Sequence, residues 1–471
     1  MKNTRLTKGL VALSAALTLA ACGTNLGSIA NAGSTTSASS SSSTADTDAS
    51  YTIHAQADDV DYDAASAQAI TLGSGDVEIT EPGTYVLSGT LSDGRVVVNS
   101  SAEGKVRIVL SNASIANQGG AAIDVRAADE VVVVLAEGTT NTVADGTGYD
   151  TSGEDAVDAA IFSMADLTIG GTGSLTVTGN TADGIASKDG LVVLGGTLKV
   201  NAADDAIRGK DYLVVQDGTL DLTAAQDGLK STNETDAQYG DVVVSGGSVM
   251  ITAGDDGVHA EGDLAITGGT VTVARANEGL EGSTITIAGG TTSVTSSDDG
   301  LNATSGSSSS GGGGGGGMQN DGSLLTISGG ELTVNAGGDG LDSNGTIVIS
   351  GGTTTVAGPT SNGNGSLDSN GGITYTGGTL IAAGSAGMAE APESGSFVQA
   401  NVSAPAGATV EVVKDGKVIV SFTTLKQVAN VVVASDAIVA GQGYEITVNG
   451  SSVATATAGQ ATGGGMGGPR G

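Results

Sequence analysis

The sequence predicts an all-β fold: a right-handed single-stranded parallel β-helix of about 22 residues per rung and about a dozen rungs, with a small C-terminal antiparallel β region. Three observations carry this. Gly-Gly pairs recur in one frame, at 195–196, 246–247, 268–269, 289–290, 329–330, 351–352 and 377–378. An acidic residue recurs with them, at Asp183, Asp205, Asp227, Asp256, Glu278, Asp299 and Asp339, mostly 21 or 22 residues apart. Between these landmarks lie short alternating runs such as Thr197-Leu-Lys-Val and Leu213-Val-Val. Alternation turns every second side chain to one face. Strands this short, joined by tight turns, pair only with the same strands of the next unit. The two long spacings contain insertions, near Asn233 to Gln238 and in the Ser/Gly block from Ser305 to Gly317. The hand follows from the handedness of parallel crossovers.

Taken in order, the chain opens with Lys2, Arg5 and Lys8 ahead of an apolar run, Leu10 to Leu19, too short to span a bilayer. Residues 1–21 read as a signal peptide. Leu19-Ala20-Ala21-Cys22 resembles the lipobox of bacterial lipoproteins, which implies cleavage before Cys22, its lipidation, and a membrane partner through that anchor. Residues 22–50, mostly Ser, Thr, Ala and Gly, read as a flexible linker. Residues 51–395 read as the β-helix, with 51–70 capping one end and a disordered insertion at about 304–322. Residues 396–456 lose the Gly-Gly frame and read as a β cap or small β domain; 457–471 read as a Gly-rich disordered tail. The expected setting is export and lipid anchoring on a bacterial cell surface, as a monomer.

Composition narrows the function. With 17 basic and 51 acidic residues the formal charge is −34, which disfavours nucleic acid and anionic lipid surfaces. Simple solubility and a cation-binding surface both remain compatible with it. Cys22 is the only cysteine, so no intramolecular disulfide forms. Trp is absent, which removes the stacking platform by which neutral sugars are often held.

A repeat turns one residue into a column. The acidic landmark gives a ladder of seven carboxylates, doubled by Asp204, Asp255 and Asp298 one position earlier. Stacked like charges need protons or cations, and a hard divalent ion with oxygen ligands, calcium above all, suits them. The candidate metal ligands are Asp204, Asp205, Asp227, Asp255, Asp256, Glu278, Asp298 and Asp299. The competing reading is that Asp before Gly only favours a turn. Three positions further runs a second column, Ala186, Arg208, Lys230, His259, Glu281, Asn302 and Asp342, flanked by Lys188 and Lys210. Lys188, Arg208, Lys210, Lys230 and His259 are candidate ligand-binding cations. They equally suit charge compensation within the ladder.

From Glu81-Pro-Gly-Thr-Tyr-Val-Leu onward the chain resembles the bacterial carbohydrate-binding β-helix family related in fold to pectate lyases. The resemblance rests on Ala160-Ile-Phe-Ser163, Asp166-Leu-Thr-Ile, Gly173-Ser-Leu-Thr-Val-Thr-Gly-Asn180, Asp183-Gly-Ile-Ala-Ser-Lys188-Asp189 and Asp205-Ala-Ile-Arg208-Gly-Lys210-Asp211. One departure is that aligning Ile161 with Ile185 puts Ala159 where Asp183 stands, so the acidic column starts at Asp183. The resemblance implies calcium-loaded binding of polysaccharide, notably polygalacturonate, without cleavage. A calcium-dependent lyase would use an Arg or Lys as base, and Arg208, Lys210 or Lys230 could imitate one. Such residues recur on several rungs, whereas a catalytic site is usually a single departure from a repeat. A third class is a non-catalytic adhesin or spacer rod. The expectation is a binder, not an enzyme.

Overall fold

Short β-branched runs that end in glycine leave their backbone edges open, and in this chain each edge is closed by the equivalent run one turn later. The computed structural model describes residues 52–153, 155–305 and 319–462, all within one compact unit, Ala45–Gly471. The signal peptide, Cys22, the linker, most of the 304–322 insertion and most of the tail lie outside the described residues.

The described residues hold a 35-stranded, mainly parallel sheet wound into a solenoid-like body, and a separate four-stranded antiparallel sheet. The winding resolves into three stacks. In the first, Leu167 pairs with Leu191, Leu213 follows, then Val242, Leu264, Ile285, Leu325, Ile347 and Ile373. In the second, Val177, Val200, Leu222, Ile251 and Val273 stack in line. In the third, Ile123, Ile161, Ile185, Ile207, Leu229, Val258, Leu280, Leu301, Leu341 and Leu367 do so. All these side chains point inward and are buried. The core is thus a set of aliphatic columns, the continuous apolar burial that parallel sheets require.

The Gly-Gly pair is needed for two different reasons. The second glycine has a left-handed φ, +73° at Gly269, and the first lies against the previous turn: a Cβ on Gly268 would stand 2.4 Å from the Ser245 carbonyl oxygen. The glycine after the ladder acid is held by close approach alone. A Cβ on Gly257 would meet the Gly279 carbonyl oxygen at 2.5 Å and Val273 Cγ2 at 2.6 Å.

Of the end cap expected over residues 51–70, the part 53–60 is corrected, whereas Gln68–Leu72 forms a strand paired with Gly83–Leu91. Residues 53–60 lie along the flank of the first stack, as a strap. Ile53 and Ala55 pack with Val192, Tyr212 and Val214, and Val60 packs with Val109, Val132 and Val134. The reason is legible in burial: Glu130–Leu135, Gly190–Val193 and Tyr212–Val215 are buried on both faces, whereas Leu324–Ile327, beyond the strap, alternates. An outward valine needs a cover. The His54 ring anchors the strap, Nδ1 2.7 Å from the Tyr212 hydroxyl and Nε2 2.9 Å from Thr168 Oγ1.

At the C-terminal end the parallel order stops. Val428–Ser435 runs antiparallel to both Thr379–Gly384 and Phe397–Ala404. The four-stranded sheet follows, in the order Lys417–Thr423, Thr409–Lys414, Gly443–Val448, Ser451–Thr457. Lys426 reaches back to donate to the carbonyls of Ala336 and Gly358.

Candidate functional site

The third stack carries the site. Its outward residues form one register: Ala186, Arg208, Lys230, His259, Glu281, Asn302, Asp342, Asp368. The ladder acids enter just ahead of these strands, which places acid and partner three residues apart on one strand entry.

In Asp183, Asp205 and Asp227 the two carboxylate oxygens have two duties, and Asp299 shares the first of them. Oδ1 accepts a backbone N–H from the next turn. Asp205 N donates to Asp183 Oδ1 at 3.1 Å, Asp227 N to Asp205 at 3.0 Å, Asp256 N to Asp227 at 2.7 Å, and Asp339 N to Asp299 at 2.6 Å. This knits neighbouring turns together at a corner where the ladder of strand hydrogen bonds is interrupted. Oδ2 faces the second column.

In the N-terminal half that column supplies cations. Arg208 Nη2 lies 2.6 Å from Asp183 Oδ2 and 2.8 Å from Asp158 Oδ2. Lys230 Nζ is 2.6 Å from Asp227 and 3.5 Å from Asp205; Lys188 Nζ is 2.7 Å from Asp158. His259 Nδ1 stands 2.9 Å from Asp256 and 3.0 Å from Glu281. Burial opposes the charge on Arg208 and Lys230, yet the carboxylates around them more than offset it and raise both pKa values. Burial likewise opposes a charged His259, and Asp256 and Glu281 still hold its pKa up at about 11. Lys188, Arg208, Lys230 and His259 therefore compensate the ladder. Lys210, half-buried, stands outside these pairs.

The C-terminal half is different. Among the described residues, Glu278, Asp299, Asp339, Asp342 and Asp368 have no cationic partner; Glu278 accepts from Asn302 Nδ2 at 2.9 Å. Burial, together with the neighbouring carboxylates, pushes Asp299 up to about 6, Asp339 to about 7 and Asp342 to about 8. Beside them Asn370 Nδ2 donates to Asn344 Oδ1, and Asn344 Nδ2 to Thr304 Oγ1, a row of amides along the same face.

Three groups bring ligand atoms within 4.8 Å of one another: Asp183, Asp204 and Asp205; Asp227, Asp256 and His259; Asp256, Glu278 and Glu281. Asp255 and Asp298 are exposed beside the ladder. Reading the sequence missed Asp158, because the register that set Ala159 opposite Asp183 hid the acid one position earlier. It missed Asp368, although Leu367-Asp-Ser repeats Leu341-Asp-Ser. It also passed over a second acidic corner, where Asp166, Asp189 and Asp211 line a hollow with His54, Tyr212 and Tyr239.

Residues 73–322 match the model of a family described as carbohydrate-binding domain-containing protein. A carbohydrate-binding domain-containing protein of Acetivibrio thermocellus is 35% identical over 143 residues, which are 30% of this chain and 49% of that relative. The match thus spans about half the relative's length. Among solved structures, a polysaccharide lyase-like protein from C. thermocellum, studied as a gadolinium derivative, aligns at 28% identity and a TM-score of 0.41, covering 48% of this chain and 92% of that one.

Proposed function

The chain belongs to the carbohydrate-binding domain-containing protein family, and from that premise we propose that it binds an acidic polysaccharide of the polygalacturonate type along the third stack, with calcium, and without cleaving it. The coil is right-handed in this reading, with about a dozen rungs. The protein is exported and lipid-anchored at Cys22 on the bacterial surface, and works as a monomer.

One observation carries the calcium reading: the ladder runs out of cations after His259 while its carboxylates continue. Half-buried like charges without a counter-charge take up protons or a metal ion. The donors along Glu278, Asp299, Asp339, Asp342 and Asp368 are hard oxygens, the chemistry that suits calcium rather than a thiophilic metal, and at their head Asp256, Glu278 and Glu281 bring their oxygens within 4.8 Å of one another. Bound there, calcium would supply positive charge that bridges protein carboxylates to those of a uronate chain. Asn344, Asn370 and Thr304 offer hydrogen bonds to sugar hydroxyls alongside.

The absence of cleavage is supported by the state of two of the three candidate bases, Arg208 and Lys230. A lyase base must shed its proton, and Arg208 and Lys230 are held charged by Asp183, Asp158, Asp205 and Asp227.

The test is affinity electrophoresis through polygalacturonate, with calcium or with EDTA, alongside calorimetric titration of calcium. Retention that needs calcium, and is lost in Asp342→Asn/Asp368→Asn, is the expected result. Equal retention in EDTA, or calcium binding untouched by the double variant, would remove calcium bridging from the mechanism. Release of unsaturated oligomers would replace a binder by a lyase.

A further inference from the structure

Most cations on the third stack are consumed by the ladder, but the first strands of that stack present two arginines in a different state. Val77–Ile79, Val96–Asn99 and Ile123–Ala127 lie side by side, with Glu78, Val97 and Asp124 in register. Asp124 is 1% exposed. Arg95 Nη1 lies 3.1 Å from its Oδ2, and Arg126 Nε lies 2.7 Å from its Oδ1. Arg95 Nε also reaches Asp76 Oδ2 at 3.3 Å. The Arg126 contact is an ion pair off the hydrogen-bond direction, since Asp124 Oδ1 takes no hydrogen bond. Both guanidinium side chains are 41% exposed, against 12% for Arg208 and 16% for Lys188. They line an open hollow whose other walls are Asp76, Glu78 and Val97.

This is a built arrangement. A buried carboxylate stands between two planar forks, and Arg126 lines the hollow with its side chain 41% exposed. A guanidinium fork matches a carboxylate bidentately, which an ammonium does not. The exposed Asp76 and Glu78 add acceptors and a negative field, so a bare dense anion is poorly suited. A ligand that brings hydroxyl donors together with one carboxylate satisfies both halves of the lining, and Val97 offers an apolar surface to ring C–H groups.

We infer that Arg126, with Arg95 beside it, holds the carboxylate of a uronic acid residue directly, without a metal ion. The inference rests on the acidic-polysaccharide reading and locates a subsite outside the ladder. Arg126 occupies the strand position that Met164, Lys188 and Lys210 occupy on successive strands. A polymer lying along the sheet therefore passes from Arg126 to Lys210, a second cation outside the ladder pairs, over three strand spacings, about 14 Å.

The experiment is calorimetric titration of the full chain with galacturonic acid oligomers in EDTA, with methyl-esterified oligomers in parallel. The expected result is metal-independent binding of the acid form that falls about tenfold in Arg126→Gln, the size of one charge-assisted bidentate contact. Arg126→Lys should recover part of it, and the esterified form should not distinguish wild type from variant. Unchanged melting of Arg126→Gln shows that folding is not the cause. Equal affinity of wild type and Arg126→Gln for the acid oligomer in EDTA overturns the inference. Binding that appears only with calcium also overturns it, and leaves the ladder reading standing. No binding of the acid polymer under either condition overturns this inference and the ladder reading together.

Discussion

The Arg208 guanidinium grips the carboxylate of Asp183, 25 residues earlier in the chain, through Nε at 2.7 Å and Nη2 at 2.6 Å. Asp183 is 2% exposed, and its pKa is raised by burial despite Arg208. Removing one partner of a buried pair leaves an uncompensated charge, at a typical cost of about 3–5 kcal/mol. Arg208→Ala should therefore destabilise strongly in chemical denaturation. Arg208→Met combined with Asp183→Asn should recover most of the loss. If the single variant melts like wild type, the pair is not holding the ladder.

Turn-to-turn contact predicts a graded cost for glycine. At Gly269 a Cβ would meet the backbone of Gly246 and the Gly247 oxygen at 2.7 Å, with φ at +73°. At Gly441 φ is +79° and nothing lies within 4 Å. Both alanine variants store backbone strain of about 1–2 kcal/mol, but only Gly269→Ala must also push two turns apart. Gly269→Ala should lower Tm clearly more than Gly441→Ala. Equal shifts would reduce the role of Gly269 to its dihedral angle.

The second acidic corner makes a pH prediction. Asp189 is pushed up to about 6 by burial and by Asp166 and Asp211. A carboxyl whose folded pKa lies above its unfolded value keeps its proton longer in the fold. Stability is favoured below the unfolded value, near 4, and is lost as pH rises through about 6. Asp189→Asn, which keeps an acceptor for the Gly190 N–H, should be more stable than wild type at pH 7 by about 1 kcal/mol after discounting for partial exposure. The gain should vanish near pH 4. A pH-independent difference between the two would contradict the shift.

The strap predicts a surface effect. Val60→Asp with Ile53→Asp should detach residues 53–60 and uncover Val109, Val132, Val134, Val192 and Val214. Limited proteolysis should then cut before Gln68, and dye binding to apolar surface should rise while the solenoid's circular dichroism stays. Continued protection of the segment would show that His54 and the Asp59 contacts to Lys105 and Arg107 suffice to hold it.

Much of the molecule could be read from the chain. The columns Arg208, Lys230, His259, Glu281, Asn302 and Asp342, and the pairing of Ala159 with Asp183, follow from a 22-residue repeat, because a short parallel strand has one register that keeps every aliphatic side chain inside. That register decided which residues share a face.

Tertiary structure alone decided how those residues spend their charge. Whether Lys230 faces solvent or Asp227 depends on side-chain reach and burial, which spacing does not encode. The strap is of the same kind: Val132 and Val192 reveal an apolar outer face, but the segment that covers them lies far away in sequence. The two arginines on Asp124 come together only because strands from different turns stack. A repeat dictates columns by local geometry; partners across a corner, and covers over a face, are long-range choices that only the packed chain makes.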